Sequence, residues 1–219
     1  LEQLGEWLTK PDFCGMQMTL GLIRERKNPP DQRAVLSPSQ CTDLLHHYPS
    51  LRILVEPSEI RAFANQDYVD AGCQVTDQLS DADWLLGVKE VPVDHLHPGK
   101  THFFFSHTYK RQPSNRDLLK ACVDKGVRLI DWELLKHNHD RVIGFGVYAG
   151  LVGAYEALRG YGMKRKEFDL SPALKLGTVS ELKRSLQATN TSLRAAITGS
   201  GRVASGARDM LLAAGLKEV

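Results

Sequence analysis

The sequence predicts an α/β fold built on a doubly wound parallel sheet. Three observations carry that reading: short apolar runs of four to six residues recur along the chain, stretches with helical periodicity separate them, and turn residues bound both kinds of segment. Alternation of this kind implies βαβ units rather than hairpins.

The first strand is expected at Thr19 to Arg24, a helix at Ser39 to Tyr48 started by Ser37-Pro38, and a second strand at Arg52 to Glu56. A short helix near Asp67 to Ala71 follows, then strands at Trp84 to Val88 and His102 to Ser106. Asn115 opens a helix to Lys125, Gly126 stops it, and Arg128 to Ile130 is the last strand before the domain closes near Asp140. A helix from Val147 to Tyr161 leads out. Gly146, Gly150 and Gly153 stud its start, and since glycine in a helix costs about 1 kcal/mol against alanine, close packing against another backbone is the expected compensation. An exposed connection from Lys164 to Pro172, a helix at Val179 to Ala188 and a strand at Leu193 to Thr198 after Asn190 and Thr191 complete the approach to a glycine-rich turn, with a helix at Val203 to Ala214 beyond it. Residues 1–18, where Leu4, Trp7 and Leu8 fall at helical spacing, read as an extension.

Composition fits a globular enzyme. With 219 residues, 42% hydrophobic and 25% charged, the chain can bury a full core in one to two domains, and a net charge of +2 without a basic, aromatic-interleaved stripe argues against nucleic acid. Cys14, Cys41, Cys73 and Cys122 form no Cys-x-x-Cys pair, so neither a zinc site nor a disulfide framework is indicated and no metal is expected. No apolar run approaches the roughly 18 residues of a membrane span, and no secretory signal precedes the first strand. A reducing, cytoplasmic setting is the simplest expectation.

Two residues stand out for chemistry. Lys89 ends the run Leu85-Leu86-Gly87-Val88, and His107 ends Phe103-Phe104-Phe105-Ser106, with Pro92, Pro98 and Gly99 between. In an open parallel sheet such strand ends line one crevice. An ammonium in a closed apolar cleft loses hydration and becomes easier to deprotonate, and imidazole titrates near neutrality, so the two residue types form an acid/base pair. Near the end, Gly199-x-Gly201 with Arg202, Val203 and Gly206 falls between the expected strand and helix, the order dinucleotide binding requires: glycines permit the tight turn, and the helix N-terminus favours phosphate. Ala204 stands at the usual third glycine. The sequence ends at Val219, before the acidic ribose-binding residue expected roughly 20 residues after that motif. It therefore reads as a partial chain, with the choice of NAD or NADP not encoded in it.

Gly87-Val88-Lys89 and Phe104-Phe105-Ser106-His107-Thr108, together with Gly21-Leu22-Ile23-Arg24-Glu25, Gln32-Arg33-Ala34-Val35-Leu36-Ser37-Pro38, Leu129-Ile130-Asp131-Trp132-Glu133, Arg141-Val142-Ile143-Gly144-Phe145-Gly146 and the glycine loop, resemble lysine-forming saccharopine dehydrogenase and the lysine-ketoglutarate reductase half of the bifunctional aminoadipic semialdehyde synthase. That group is similar to the alanine dehydrogenase and transhydrogenase family. The resemblance runs from about Thr19 to Val219.

It implies a Rossmann-like substrate and catalytic domain at 19–146, a linking helix and connection at 147–189, and the start of a dinucleotide-binding Rossmann domain at 190–219. It further implies Lys89 and His107 as catalytic acid/base residues, Arg33, Gln112 and Arg141 at saccharopine-binding positions, and Gly201 and Arg202 on the loop for NAD or NADP. Glu90 and Glu133 are placed to tune the lysine or the histidine, or pair on the surface. Saccharopine bears three carboxylates, and arginine forks bind carboxylates bidentately. The sequence departs from some fungal relatives at Asp140, where they carry an arginine, and at Val203, where they carry a cysteine. Two alternatives stay open: an alanine dehydrogenase-like enzyme acting on a smaller 2-oxo acid, and a non-catalytic Rossmann-like binding domain. The remaining histidines, His46, His47, His95, His97, His102, His137 and His139, read as surface or turn residues.

Overall fold

The computed structural model describes residues 17–187, 189 and 193–217; the stretch holding Leu4, Trp7 and Leu8, and Asn190 and Thr191, lie outside them. The chain divides into two compact units at Val142 and Ile143.

The first unit is a six-stranded sheet of β1 (Thr19–Leu22), β2 (Arg52–Val55), β3 (Gln74–Val75), β4 (Trp84–Leu86), β5 (Thr101–Phe104) and β6 (Arg128–Asp131). Its order is β3-β2-β1-β4-β5-β6, every pair parallel. Helices α1 (Pro38–His47), α2 (Asn65–Asp70) and α3 (Arg116–Asp124) supply crossovers. Buried Leu20, Leu22, Ile53, Leu54, Leu85 and Phe104 explain the strands: both faces of a parallel sheet are covered, so the runs are apolar rather than alternating. Ser37 caps α1 in a complete box, its hydroxyl accepting from the Gln40 amide while the Gln40 side chain accepts from the Ser37 amide. Gly126, at φ 63°, turns the chain from α3 towards β6.

Two features depart from the sequence expectation. His102 is fully buried in β5, beside Leu85 and Leu129 in register, with Nε2 accepting from the His97 amide at 3.2 Å. Burial pulls its pKa down to about 4. A small antiparallel pair, β7 (Lys136–His137) and β8 (Asp140–Arg141), also follows β6.

The second unit contains α4 (Gly146–Arg165), α5 (Val179–Leu186) and α6 (Arg202–Ala213) around a core of Leu151, Tyr155, Leu158, Leu182, Leu186 and Met210. Helices α4 and α6 approach backbone to backbone. A Cβ at Gly150 would sit 1.9 Å from the Val203 carbonyl oxygen, and one at Gly206 would sit 2.0 Å from that of Val147. Packing explains Gly150; at Gly153 a Cβ would meet nothing within 4 Å. The strand expected at Leu193 to Thr198 is not formed: those residues carry no regular secondary structure, because the described residues of this unit offer no second strand to pair with. No helix among the described residues is long and apolar enough to cross a membrane.

Candidate active site at the switch point of the sheet

The sheet reverses its direction of growth between β1 and β4, and the loops leaving the carboxyl ends of those two strands define a crevice. Ile23, Glu25 and Arg26 line it from the β1 side, Gly87, Lys89 and Glu90 from the β4 side. It is narrow, with a cavity of about 10 Å³, room for one water. The closed apolar cleft expected around Lys89 is not what the fold supplies. Arg24, Glu25, Arg26, Lys89 and Glu90 all line the crevice, so charge pairing governs the lysine's surroundings.

Lys89 and His107 leave adjacent parallel strands at the same edge. Beyond the β4–β5 ladder, Gly87 donates to the Phe103 carbonyl at 2.8 Å and Phe105 donates to that of Val88 at 3.0 Å. Lys89 follows Val88 directly, and His107 stands two residues after Phe105. Neighbouring strands lie about 4.8 Å apart, so the two chains leave the sheet side by side, and the crevice is lined by Lys89 and not by His107.

Carboxylates hold these loops. Glu25 accepts from the amides of Val88 at 2.7 Å and Lys89 at 2.9 Å. Glu56, at the end of β2, accepts from the Arg24 amide at 2.9 Å and pairs with Arg26. Asp131, ending β6, accepts from the His107 amide at 2.9 Å and the Ser106 hydroxyl at 2.7 Å. His107 needs such support: its φ of 56° is left-handed, a conformation costing roughly 1–2 kcal/mol for an L-residue.

Around His107 the charges form one cluster. Glu133, buried and oriented by its own amide donating to Asp131 at 2.9 Å, accepts from His107 Nδ1 at 2.8 Å, from Lys110 Nζ at 3.0 Å and from Arg141 at 2.8 Å. Burial pushes the Glu133 carboxyl up, but the hydrogen bonds from His107 and Lys110 outweigh it and hold it at about 2. With Nδ1 held by the carboxylate, the imidazole ring is fixed in orientation with Nε2 on its far side.

Around Lys89 a second cluster forms. Arg33 grips Asp31 through Nε at 2.9 Å and a terminal nitrogen at 2.5 Å. That bond chiefly, with the Lys89 charge adding to it, lowers the Asp31 carboxyl. Glu90 pairs with Lys27 at 3.0 Å, and the hydrogen bond and charge of that lysine outweigh burial and lower its carboxyl. Burial of Glu25 raises its carboxyl against the pull of the two amides.

Of the residues singled out in the sequence, Lys89, Glu90 and Arg33 thus fall at the switch point, and His107, Glu133 and Arg141 on the β5–β6 side. Gln112 is exposed at the head of the short turn Pro113–Asn115. Glu25, Asp31, Asp131 and Lys110 are the site residues that sequence reasoning did not assign. A lysine one helical turn beyond His107 and acidic residues just past strand ends are the signals that mark them.

In the second unit, Gly199 is left-handed at φ 90° and Gly201 caps α6. A Cβ at either would meet nothing within 4 Å, so the loop faces open space. A mainly apolar groove of about 650 Å³, lined by Leu158, Tyr161, Ile197, Gly199, Arg202 and Val203 among others, runs beside it. That volume is within the usual range of small-molecule sites. Gly206 is a correction to the expected loop: buried in α6 against the Val147 carbonyl, it serves helix packing and does not face the groove.

An open, all-parallel sheet with charged side chains at the carboxyl ends of its strands defines the class: a Rossmann-like α/β domain. Residues 21–152 match the alanine dehydrogenase/PNT N-terminal domain, and the chain belongs to that family. It is 37% identical over 164 residues to the alpha-aminoadipic semialdehyde synthase of Arabidopsis thaliana, covering 72% of this chain and 15% of that one. It is 31% identical over 225 residues to the NAD(+), L-lysine-forming saccharopine dehydrogenase of Candida glabrata, covering 93% and 59%. A solved L-alanine dehydrogenase superposes with a TM-score of 0.53 at 23% identity, over 68% of this chain and 42% of that one, a likeness of fold. The chain spans only part of the length of each of these relatives.

Proposed function

We propose that the chain is the substrate-binding and catalytic portion, with the beginning of the dinucleotide-binding portion, of an NAD(P)-dependent oxidoreductase acting on the secondary amine of saccharopine. The reaction is saccharopine, NAD(P)⁺ and water to lysine, 2-oxoglutarate, NAD(P)H and a proton, in either direction. The carrying observation is the departure of Lys89 and His107 from adjacent parallel strands at one edge of the sheet.

Gly199, Gly201, Arg202 and Val203 would hold the nucleotide, which would supply the hydride acceptor for the carbon next to the amine. The protein's own residues move protons. One of Lys89 and His107 takes the proton from the secondary amine as the imine forms, and the pair then shuttle protons as water adds and the carbon–nitrogen bond breaks. Glu133 keeps His107 oriented through Nδ1. Arg33, Arg141 and Gln112 are assigned to the substrate carboxylates, the arginines already held in place by Asp31 and Glu133. Relatives named for saccharopine or aminoadipic semialdehyde support this substrate over a smaller 2-oxo acid.

The test is turnover by the full-length protein, read by nicotinamide absorbance. Saccharopine oxidation should fall by about 10²-fold or more in Lys89→Met and in His107→Gln. Turnover of pyruvate with ammonia but not of lysine with 2-oxoglutarate would reject the substrate, and wild-type rates in Lys89→Met would reject the role of the lysine.

A further inference from the structure

Ladder pairing between β1 and β4 ends where Ile23 donates to the Leu86 carbonyl at 2.9 Å. Beyond that point β4 bends, and its next amide, from Gly87, turns to β5. The two amides after it, Val88 and Lys89, have no carbonyl of β1 to meet. They meet a side chain instead: each donates to a different oxygen of Glu25, at 2.7 and 2.9 Å, across a separation of more than sixty residues. One carboxylate thus fixes the peptide planes on both sides of the Val88 Cα and the entry to Lys89. The second of those planes carries the Lys89 Cα and so fixes the point from which the lysine side chain departs.

A carboxylate suits this task because both its oxygens accept and neither donates. Gln at the same place offers one acceptor and one donor, and the donor would face an amide hydrogen. Gly87 adds to the case: a Cβ there would lie 3.7 Å from Glu25 Oε1, so the chain passes the carboxylate at van der Waals distance.

We propose that Glu25 is a positioning residue for the reaction, aiming the Lys89 ammonium by clamping the two backbone amides that precede its side chain. The inference rests on the reading of Lys89 as an acid/base residue. Glu25 need not touch substrate; it acts through the lysine.

The experiment is a double-mutant cycle in the full-length protein with saccharopine and the oxidised nucleotide. Glu25→Gln is expected to lower kcat by about 10- to 100-fold, the scale of an ångström-level misplacement, while KM changes by less than about threefold. Added to Lys89→Met, the same substitution is expected to cost nothing more, since there is no ammonium left to aim. If Glu25→Gln is too unstable to assay, Glu25→Asp keeps the charge but loses the reach of one methylene, and the same cancellation is expected. A loss from Glu25 that multiplies undiminished onto Lys89→Met would assign it a structural role and overturn the proposal. So would wild-type kcat in Glu25→Gln beside an inactive Lys89→Met. Wild-type turnover in Lys89→Met itself would instead remove the lysine's role, and the positioning role with it.

Discussion

Alanine at Gly150 should unfasten the second unit, and the size of the effect follows from the geometry. The new methyl would lie 1.9 Å from the Val203 carbonyl oxygen and 2.8 Å from the Ala207 nitrogen. Both are backbone atoms of α6, so no side-chain rotation relieves the contact. The helices must part by about 1 Å, and close-packed interiors do not absorb such a change locally. Overpacking of this kind costs about 1–3 kcal/mol, and parting α4 from α6 also loosens Leu151, Tyr155 and Met210 between them. Against that, alanine favours the helix by about 1 kcal/mol. Gly153→Ala isolates the second term, because its methyl meets nothing within 4 Å. Hydrogen exchange of the α4 and α6 amides, followed by mass spectrometry in the full chain, reads the local opening of this unit apart from the first. Faster exchange in Gly150→Ala with equal or slower exchange in Gly153→Ala is expected. Protection in Gly150→Ala as high as in Gly153→Ala would refute the close approach.

Other outcomes follow from the first unit. The pKa of His102 is depressed from 6.5 to about 4, so the unfolded chain binds the extra proton first and stability falls as pH drops from about 6.5 towards 4, by up to ~1.4 kcal/mol per pH unit. His102→Leu should flatten urea-midpoint profiles over that window, and an unchanged slope would count against the neutral buried imidazole. Glu133, depressed from 4.5 to about 2, contributes stability that is complete above about 4.5 and lost as pH falls through about 2. Glu133→Gln should remove that acid-side loss, and a urea-midpoint profile with the same acid-side slope as wild type would count against a buried, charged Glu133. Ser37→Ala should cost about 1 kcal/mol in thermal unfolding by opening the capping box of α1.

Apolar runs between helical segments made the parallel sheet legible in the sequence, because strands covered on both faces need continuous apolar residues. Their ends were not. The strands expected to reach Arg24, Val88 and Ser106 end at Leu22, Leu86 and Phe104, with single backbone bonds from Ile23, Gly87 and Phe105 just beyond. The extra residues retain apolar character but bend out of the ladder, with carboxylates capturing their amides from distant loops. Sequence spacing carries no record of partners 63 and 64 residues away, as for Glu25, or 24 and 25 away, as for Asp131, so neither role is legible in it. Histidine has no fixed preference for either environment, so the sequence alone places His102 at the surface; only the register against Leu85 and Leu129 puts it inside. The strand at Leu193 to Thr198 shows the opposite case, an apolar run that pattern alone makes a strand but that the described residues leave without a partner.

The amide-binding carboxylates share a logic that bears on how a charged site stays in place at a sheet edge. Each belongs to one strand or the loop after it and grips the loop of the next: Glu56 after β2 holds the β1 loop, Glu25 in the β1 loop holds the β4 loop, and Asp131 at the end of β6 holds the β5 loop. Apolar packing would be a poor substitute, since the loops carry Arg24, Arg26, Lys89 and His107 and cannot bury them cheaply. A carboxylate supplies two acceptors for orphan amides and a counter-charge for the cations beside them. The cost is dependence on neighbours: a loop shifted at β2 is transmitted through Arg24 and Glu25 to Lys89, whereas the His107 amide and imidazole are held by Asp131 and Glu133. Disturbing Glu56 should therefore reach the lysine and spare the histidine, and this asymmetry follows from the strand order itself, which places β1 between β2 and β4.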